Sequence, residues 1–187
     1  MRLDLDLFGN AEAVAQELLG LFCVLQNAVL AVGLEPQHRE LKKRGIILAV
    51  CSKNNEDTAK LPFEMHPEMI LRLDDFAIFV ANWQDKASNI MYIQKTLNIG
   101  MDSMVFFDDN PFERGVVRSL IPDITVPELP EDPADYLSYV RALNLFETAS
   151  FSAADADRTE QYRQEAGRAT LIAQFADYDE YLKALEM

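Results

Sequence analysis

Basic residues are scarce in this chain. Lys and Arg number 17 against 31 Asp and Glu, a formal net charge of −14 over 187 residues. Broad nucleic-acid binding needs a basic footprint, so that class is excluded. Cysteine is sparser still: Cys23 and Cys51 stand alone, each inside an apolar run. Two thiols so placed point to buried, reduced side chains and a cytoplasmic protein, not to a disulfide-built one. Long apolar stretches are also lacking, except for residues 18–34. That run is at the short limit for a membrane span, is broken by Gly20, Gln26 and Asn27, and has an acidic upstream flank. The same flank argues against a signal peptide. A buried helix is the expected form, with no membrane partner. No internal repeat or low-complexity tract stands out.

What is present is an ordinary hydrophobic share, 49%, in a chain long enough for one domain or a domain with an appendage. The most informative stretch is Met104-Val105-Phe106-Phe107-Asp108-Asp109-Asn110-Pro111. Four apolar residues read as a strand buried on both faces. Asn110 then suits a helix cap, with Pro111 at the first position and Glu113 at the third, a capping-box pattern. Asp108 and Asp109 therefore fall at the carboxyl end of a buried strand, the edge where open α/β sheets bind ligands. Adjacent like charges repel, and a divalent cation relieves that repulsion. Taken alone, the pair is also compatible with a solvated acidic turn.

A second apolar strand, 46–51, ends in Ser52-Lys53-Asn54-Asn55. A hydroxyl, an amine and the free N–H groups of the next helix suit an oxyanion, although a polar turn with an Asn cap has the same composition. The helix after it is expected to end near Pro62. Short strand-like pieces follow at 69–72 and 77–80. Next comes a helix with Ile90, Ile93 and Leu97 on one face and Gly100 beyond its end. Lys86 lies in its first turn, where a cation opposes the helix dipole unless an anion sits there. Pairing with neighbouring Asp85 is the other reading of Lys86. After the Asp-Asp strand come a helix to about Leu120, a short strand at 124–126, and a helix opened by Asp132-Pro133. Past Phe146 the strands cease. Ser152 is placed to cap a long charged helix running to about Phe175, and a short one starts at Asp177.

Alternating strands and helices imply an α/β fold with a parallel sheet covered on both faces. The expected organisation is a domain over 1–147, with 1–43 atypical, and a helical extension over 148–187. The topology brings Ser52, Lys86, Asp108 and Asp109 to one edge, which together suit a phosphate-plus-magnesium site.

From about Arg44 onward the chain resembles the haloacid dehalogenase (HAD) superfamily, and within it the FkbH-like branch, the subfamily IIIC phosphatases. The resemblance rests on residues 44–54 (RGIILAVCSKN), Asp74-Asp75-Phe76, Asn82-Trp83 with Lys86, and residues 107–114 (FDDNPFER). It implies a three-layer Rossmann-like parallel sheet of HAD type without a large cap, followed by C-terminal helices. It also implies Mg2+ as cofactor, Ser52 and Lys86 at the phosphate with Lys53 beside them, and Asp108 and Asp109 as metal-holding acids. FkbH-like proteins are implicated in moving a glyceryl group from a phosphorylated three-carbon donor to an acyl carrier protein in polyketide biosynthesis. A phosphorylated small molecule and an acyl carrier protein are therefore the implied partners.

The front departs from the family pattern. Leu3-Asp4-Leu5-Asp6 preserves Asp-x-Asp, yet only Met1-Arg2-Leu3 precede it and Leu7-Phe8-Gly9 replaces the usual Asn-Thr. If the motif holds, Asp4 is the nucleophile, Asp6 the general acid/base, and both join the metal site. The other reading is a chain without its nucleophile strand, a HAD-like binding or scaffold module. For a carrier protein, itself acidic, the net charge of −14 predicts long-range repulsion, so docking needs a local basic patch. Arg39, Lys42, Lys43 and Arg44 with Lys53 and Lys60 are the candidates, only Lys53 and Lys60 being expected near the phosphate edge. The other reading is that all six are solvated helix charges.

Overall fold

The computed structural model describes residues 22–25, 46–65, 71–132, 135–146 and 158–174. In chain order the strands and helices are β1 (Phe22–Leu25), β2 (Leu48–Ser52), α1 (Glu56–Met65), β3 (Phe76–Ala81), α2 (Lys86–Leu97), β4 (Met104–Phe106), α3 (Pro111–Leu120), α4 (Tyr136–Ala142) and α5 (Arg158–Gln174). The four strands form one sheet in the order β3-β2-β1-β4. β2 and β3 are parallel, whereas β1 is antiparallel to both β2 and β4. Because β2 and β4 both oppose β1, the strands β2, β3 and β4 share one direction. Their carboxyl ends meet at one edge.

Strand alternation sends successive side chains to opposite faces. Ile46, Leu48, Val50, Val105 and Phe107 pack with Ala59 and Phe63 of α1 and with Tyr136 and Val140 of α4. On the other face Ile47, Ala49, Cys51, Met104 and Phe106 pack with Ile90, Ile93 and Leu97 of α2, Val117 of α3 and Ala166 of α5. Helices thus cover both faces of a mixed sheet. Among the described residues no helix is long and apolar enough to cross a membrane.

Four expectations need correction. Residues 22–25 form a strand, not part of a buried helix; the rest of the 18–34 run lies outside the described residues. A short apolar run cannot be assigned by periodicity, and Phe-Cys-Val suits a strand. What decides is non-local: β2 and β4 each need a hydrogen-bonding neighbour, and β1 supplies both. The sheet is consequently not wholly parallel. Pro62 does not end α1 but lies inside it. It forfeits one intrahelical bond to Thr58, which is exposed to water, while the next residue, Phe63, is anchored in the core. The strand-like piece at 69–72 is instead irregular at Leu71 and Arg72, leading into a 3-10 turn at Leu73–Asp75. The short strand at 124–126 is reduced to one parallel bridge, Thr125 to Val105, in which the Phe106 N–H donates to the Thr125 carbonyl at 2.8 Å.

The expected long charged helix past Phe146 is present as α5. Thr159 and Ala166 are buried and Tyr162 packs against the α2 side of the core. Arg163 reaches Asp74 at 2.7 Å, inside the 3-10 turn that precedes β3. Ser152 and the short helix from Asp177 lie outside the described residues.

Phe63 ties α1 to the sheet through edge-to-face contacts with Phe76 and Phe79, centroids 5.1 and 5.8 Å apart. Phe63→Ala is expected to lower the unfolding free energy by about 3–5 kcal/mol, because the cavity cannot fully collapse. Met65→Ala, at an exposed position two residues on, should change it by no more than about 0.5 kcal/mol. Urea denaturation of both variants checks the pair.

Candidate functional site

The candidate site is built where β2, β3 and β4 end. β2 stops at Ser52, which is 4% exposed. Among the described residues its hydroxyl has no hydrogen-bond partner, an uncommon state for a buried polar group and one that suits an incoming acceptor. The Ser52 carbonyl accepts from the Asn82 N–H at 3.1 Å, so the β2 and β3 ends stay paired as their loops diverge. Beyond β3 the side chains of Asn82 and Asn89 exchange amide bonds at 2.9 and 3.2 Å, and the Asn82 oxygen also accepts from the Gln84 N–H. This folds the loop back onto α2. The Trp83 indole N–H donates to the Asn55 side chain at 2.9 Å, linking the loop after β3 to the one after β2.

Asp85 caps α2 by accepting from the Ser88 N–H and hydroxyl, each at 2.8 Å. Those bonds hold its carboxyl below the usual range. Asp85 is thus occupied as a cap, and Lys86 turns inward instead. Only 3% exposed, Lys86 places its ammonium against Asp108 Oδ2, with the Phe106 ring centroid 5.9 Å away. This contact is the anion that the dipole argument required at the α2 terminus.

Asp108 is 1% exposed. Its Oδ1 accepts from the Asn110 N–H at 2.9 Å. Burial pushes the Asp108 carboxyl above the usual carboxylate range, and Lys86 pulls against that shift. Asp109, the next residue, is exposed. Asn110 caps α3 as expected, accepting from the Phe112 N–H at 2.9 Å. The expected capping box does not form. The Asn110 N–H is taken by Asp108, and Glu113 bonds the Lys53 ammonium at 2.6 Å, so Lys53 is engaged by a carboxylate here. Cys51 is buried and free, its thiol pushed up to about 12 by burial, which rules it out as a nucleophile at neutral pH.

Among the described residues no three His, Cys, Asp or Glu side chains converge to hold a metal ion. The two carboxylates on one turn nonetheless fit magnesium, a hard cation commonly held by one or two carboxylates, water and substrate phosphate. Asp4 and Asp6 lie outside the described residues.

Sequence reasoning missed Arg114. Its guanidinium donates to the carbonyls of Asp108 and Asp109 at 2.7 and 2.9 Å and to Glu128 at 2.9 and 3.1 Å. The signal available was its place in the stretch 107–114, but nothing local indicated what it would touch. Asn89 was missed likewise, since a polar residue facing inward on α2 announces no partner.

No family model matches the chain, nor does any curated protein. Among solved structures it is similar to the N-terminal part of the protein BF1531 from Bacteroides fragilis, containing a phosphatase domain complexed with Mg. Identity is 61%, the TM-score is 0.60, and the match covers 67% of this chain. The match covers 35% of that chain.

Breaking one side of the buried Lys86–Asp108 pair leaves an uncompensated charge. Lys86→Met is expected to cost about 3–5 kcal/mol of stability at pH 7. A carboxyl raised in the folded state favours the folded form while protonated, and that advantage is lost as pH rises through the raised value. The Lys86→Met penalty should therefore shrink as pH falls below it, because Asp108 is then neutral. Urea unfolding over a pH series from 7 down into the acid range checks this, and a penalty that stays constant across the whole series would remove Asp108 as its cause.

Proposed function

We propose that the chain is a magnesium-dependent phosphatase or phosphoryl-transfer domain of the three-layer HAD type. The observation that carries the reading is the buried Lys86–Asp108 contact at the same sheet edge as the buried Ser52 hydroxyl, where the two acids share a turn. In this reading Asp108 and Asp109 hold the cation, completed by Asp4 and Asp6. The cation supplies Lewis-acid neutralisation of charge on the phosphoryl group. Ser52 donates to a phosphate oxygen, and Lys86 neutralises another. An Asp4 oxygen bonds phosphorus while the bond to the leaving oxygen breaks, and Asp6 gives that oxygen its proton. Support for the placement of Asp4 and Asp6 comes from the direction of β1. Because it is antiparallel, the chain enters β1 at Phe22 from the edge where Ser52 and Asp108 lie.

A second reading has its own observation. The strand between β2 and β4 is Phe-Cys-Val-Leu, which carries no carboxylate. A module that retains the phosphate and metal groups but lacks a nucleophile would bind without turning over.

The finer assignment is the FkbH-like branch, with a phosphorylated three-carbon donor and glyceryl loading of an acyl carrier protein. It is supported by the motif resemblance alone. Lys53 and Lys60, the lysines expected to guide a carrier, are each ion-paired within the chain, to Glu113 and Glu56. A carrier would have to compete with those partners.

Hydrolysis of an aryl phosphate is expected to require magnesium. Lys86→Met and Asp108→Asn should each lower kcat by about 100- to 1000-fold, and Asp4→Asn should abolish turnover with folding intact. Turnover that survives in Asp4→Asn would transfer the nucleophile elsewhere. Magnesium binding without turnover in the unmodified chain would favour the binding module.

A further inference from the structure

Arg114 lies one turn into α3 and is 6% exposed. Its guanidinium is a planar fork of five donors, and the two sides of that fork do different things here. Nη1 grips two consecutive backbone carbonyls, Asp108 O at 2.7 Å and Asp109 O at 2.9 Å. Nε and Nη2 are held by Glu128 Oε2 at 3.1 and 2.9 Å. Glu128 is in turn held by Arg118, one turn further along α3, whose guanidinium also donates to the Val126 carbonyl at 2.9 and 3.1 Å. A connected series of bonds therefore runs from the segment beside β4, through α3, to the backbone of the acidic turn.

The two acids depend on this series unequally. The Asp108 side chain is fixed on its own account by the Asn110 N–H and by Lys86. The Asp109 side chain is exposed, and no hydrogen bond or ion pair of its carboxylate to a described residue orients it. What sets its direction is its backbone, and the carbonyls on both sides of the Asp109 amide-to-carbonyl unit are those Arg114 holds. Two pinned carbonyls fix the peptide planes that flank the Asp109 Cα and so the vector along which its carboxylate leaves the chain. Of the two carboxylates on the turn, that of Asp109 is the exposed one.

We infer that Arg114, steadied by Glu128, is a positioning residue that aims the Asp109 carboxylate at the cation. The inference rests on the proposed magnesium site and assigns a role within it. It has a signature that simple electrostatics cannot imitate. Arg114 is a cation beside a cation site, so removing its charge should by Coulomb's law tighten magnesium binding. If Arg114 acts by aiming Asp109, removing it weakens binding. The two roles predict opposite signs.

The test is magnesium titration of the full chain by calorimetry, with manganese followed by electron paramagnetic resonance as a second probe. Folding is monitored by circular dichroism. Arg114→Gln is expected to weaken magnesium affinity about 10- to 100-fold, the range for groups that orient metal ligands. In an Asp109→Asn background the same substitution should weaken it by less than about 2-fold, because the group it aims is already gone. Glu128→Gln, a change at an exposed side chain, should weaken affinity in the same direction by a smaller factor. Because losing an anion would by Coulomb's law also weaken binding, Glu128→Gln decides the matter, if Arg114→Gln fails to fold, by whether its effect falls below about 2-fold in the Asp109→Asn background. Unchanged or tighter binding in Arg114→Gln, or a full effect retained in the Asp109→Asn background, would overturn the inference while leaving the metal site standing. No magnesium binding by the unmodified chain would overturn both.

Discussion

A lysine ammonium and an aspartate carboxylate, both out of reach of solvent, meet at the end of the sheet, and much of the local structure follows from keeping them together. Charges cost several kcal/mol each to bury, so Lys86 and Asp108 are tolerable only as partners with their remaining hydrogen-bonding capacity met. That requirement explains why Asp85 caps α2, leaving Lys86 to turn inward. It also explains why the Asn110 N–H is directed to Asp108 instead of to a capping-box glutamate. The pair needs the carboxyl ends of β2, β3 and β4 at one edge, which their common direction supplies.

Around that pair the loops are cross-linked by polar contacts between elements far apart in the chain. Ser52 to Asn82, Asn55 to Trp83 and Lys53 to Glu113 join the three loops that follow the parallel strands. A site for a small, highly charged group has to hold its donors still, because reorganising them at the moment of reaction costs part of what they stabilise. The network of Arg118, Glu128 and Arg114 extends the same logic to backbone carbonyls. Arginine suits that task, since its fork can hold two carbonyls and a carboxylate at once, which a lysine cannot.

The position of β1 bears on chemistry as well as on folding. It completes the sheet between β2 and β4, where each strand would otherwise expose unpaired backbone groups, yet it contributes no carboxylate to the edge. A phosphoryl-transfer reading therefore has to draw its nucleophile from residues other than β1. A binding-module reading does not.

The features legible in the sequence are those set by short-range forces. The ends of β2 and β4, the Asn110 cap with Pro111 behind it and the inward face of α2 follow from apolar runs, caps and helix periodicity within a few residues, and the strand–helix alternation they spell out is what assigned Ser52, Lys86, Asp108 and Asp109 to one sheet edge. Tertiary structure decided whatever depends on which distant group arrives. Phe22–Leu25 became a strand, and an antiparallel one, because two separate strands offered it hydrogen bonds. Pro62 stayed inside α1 because the core held Phe63. Glu113 paired with Lys53, 60 residues away in the chain, and Arg114 closed on carbonyls whose direction no local pattern encodes. Caps and periodicity act over one or two turns, whereas the partner of a buried polar group is chosen by which loops the fold closes.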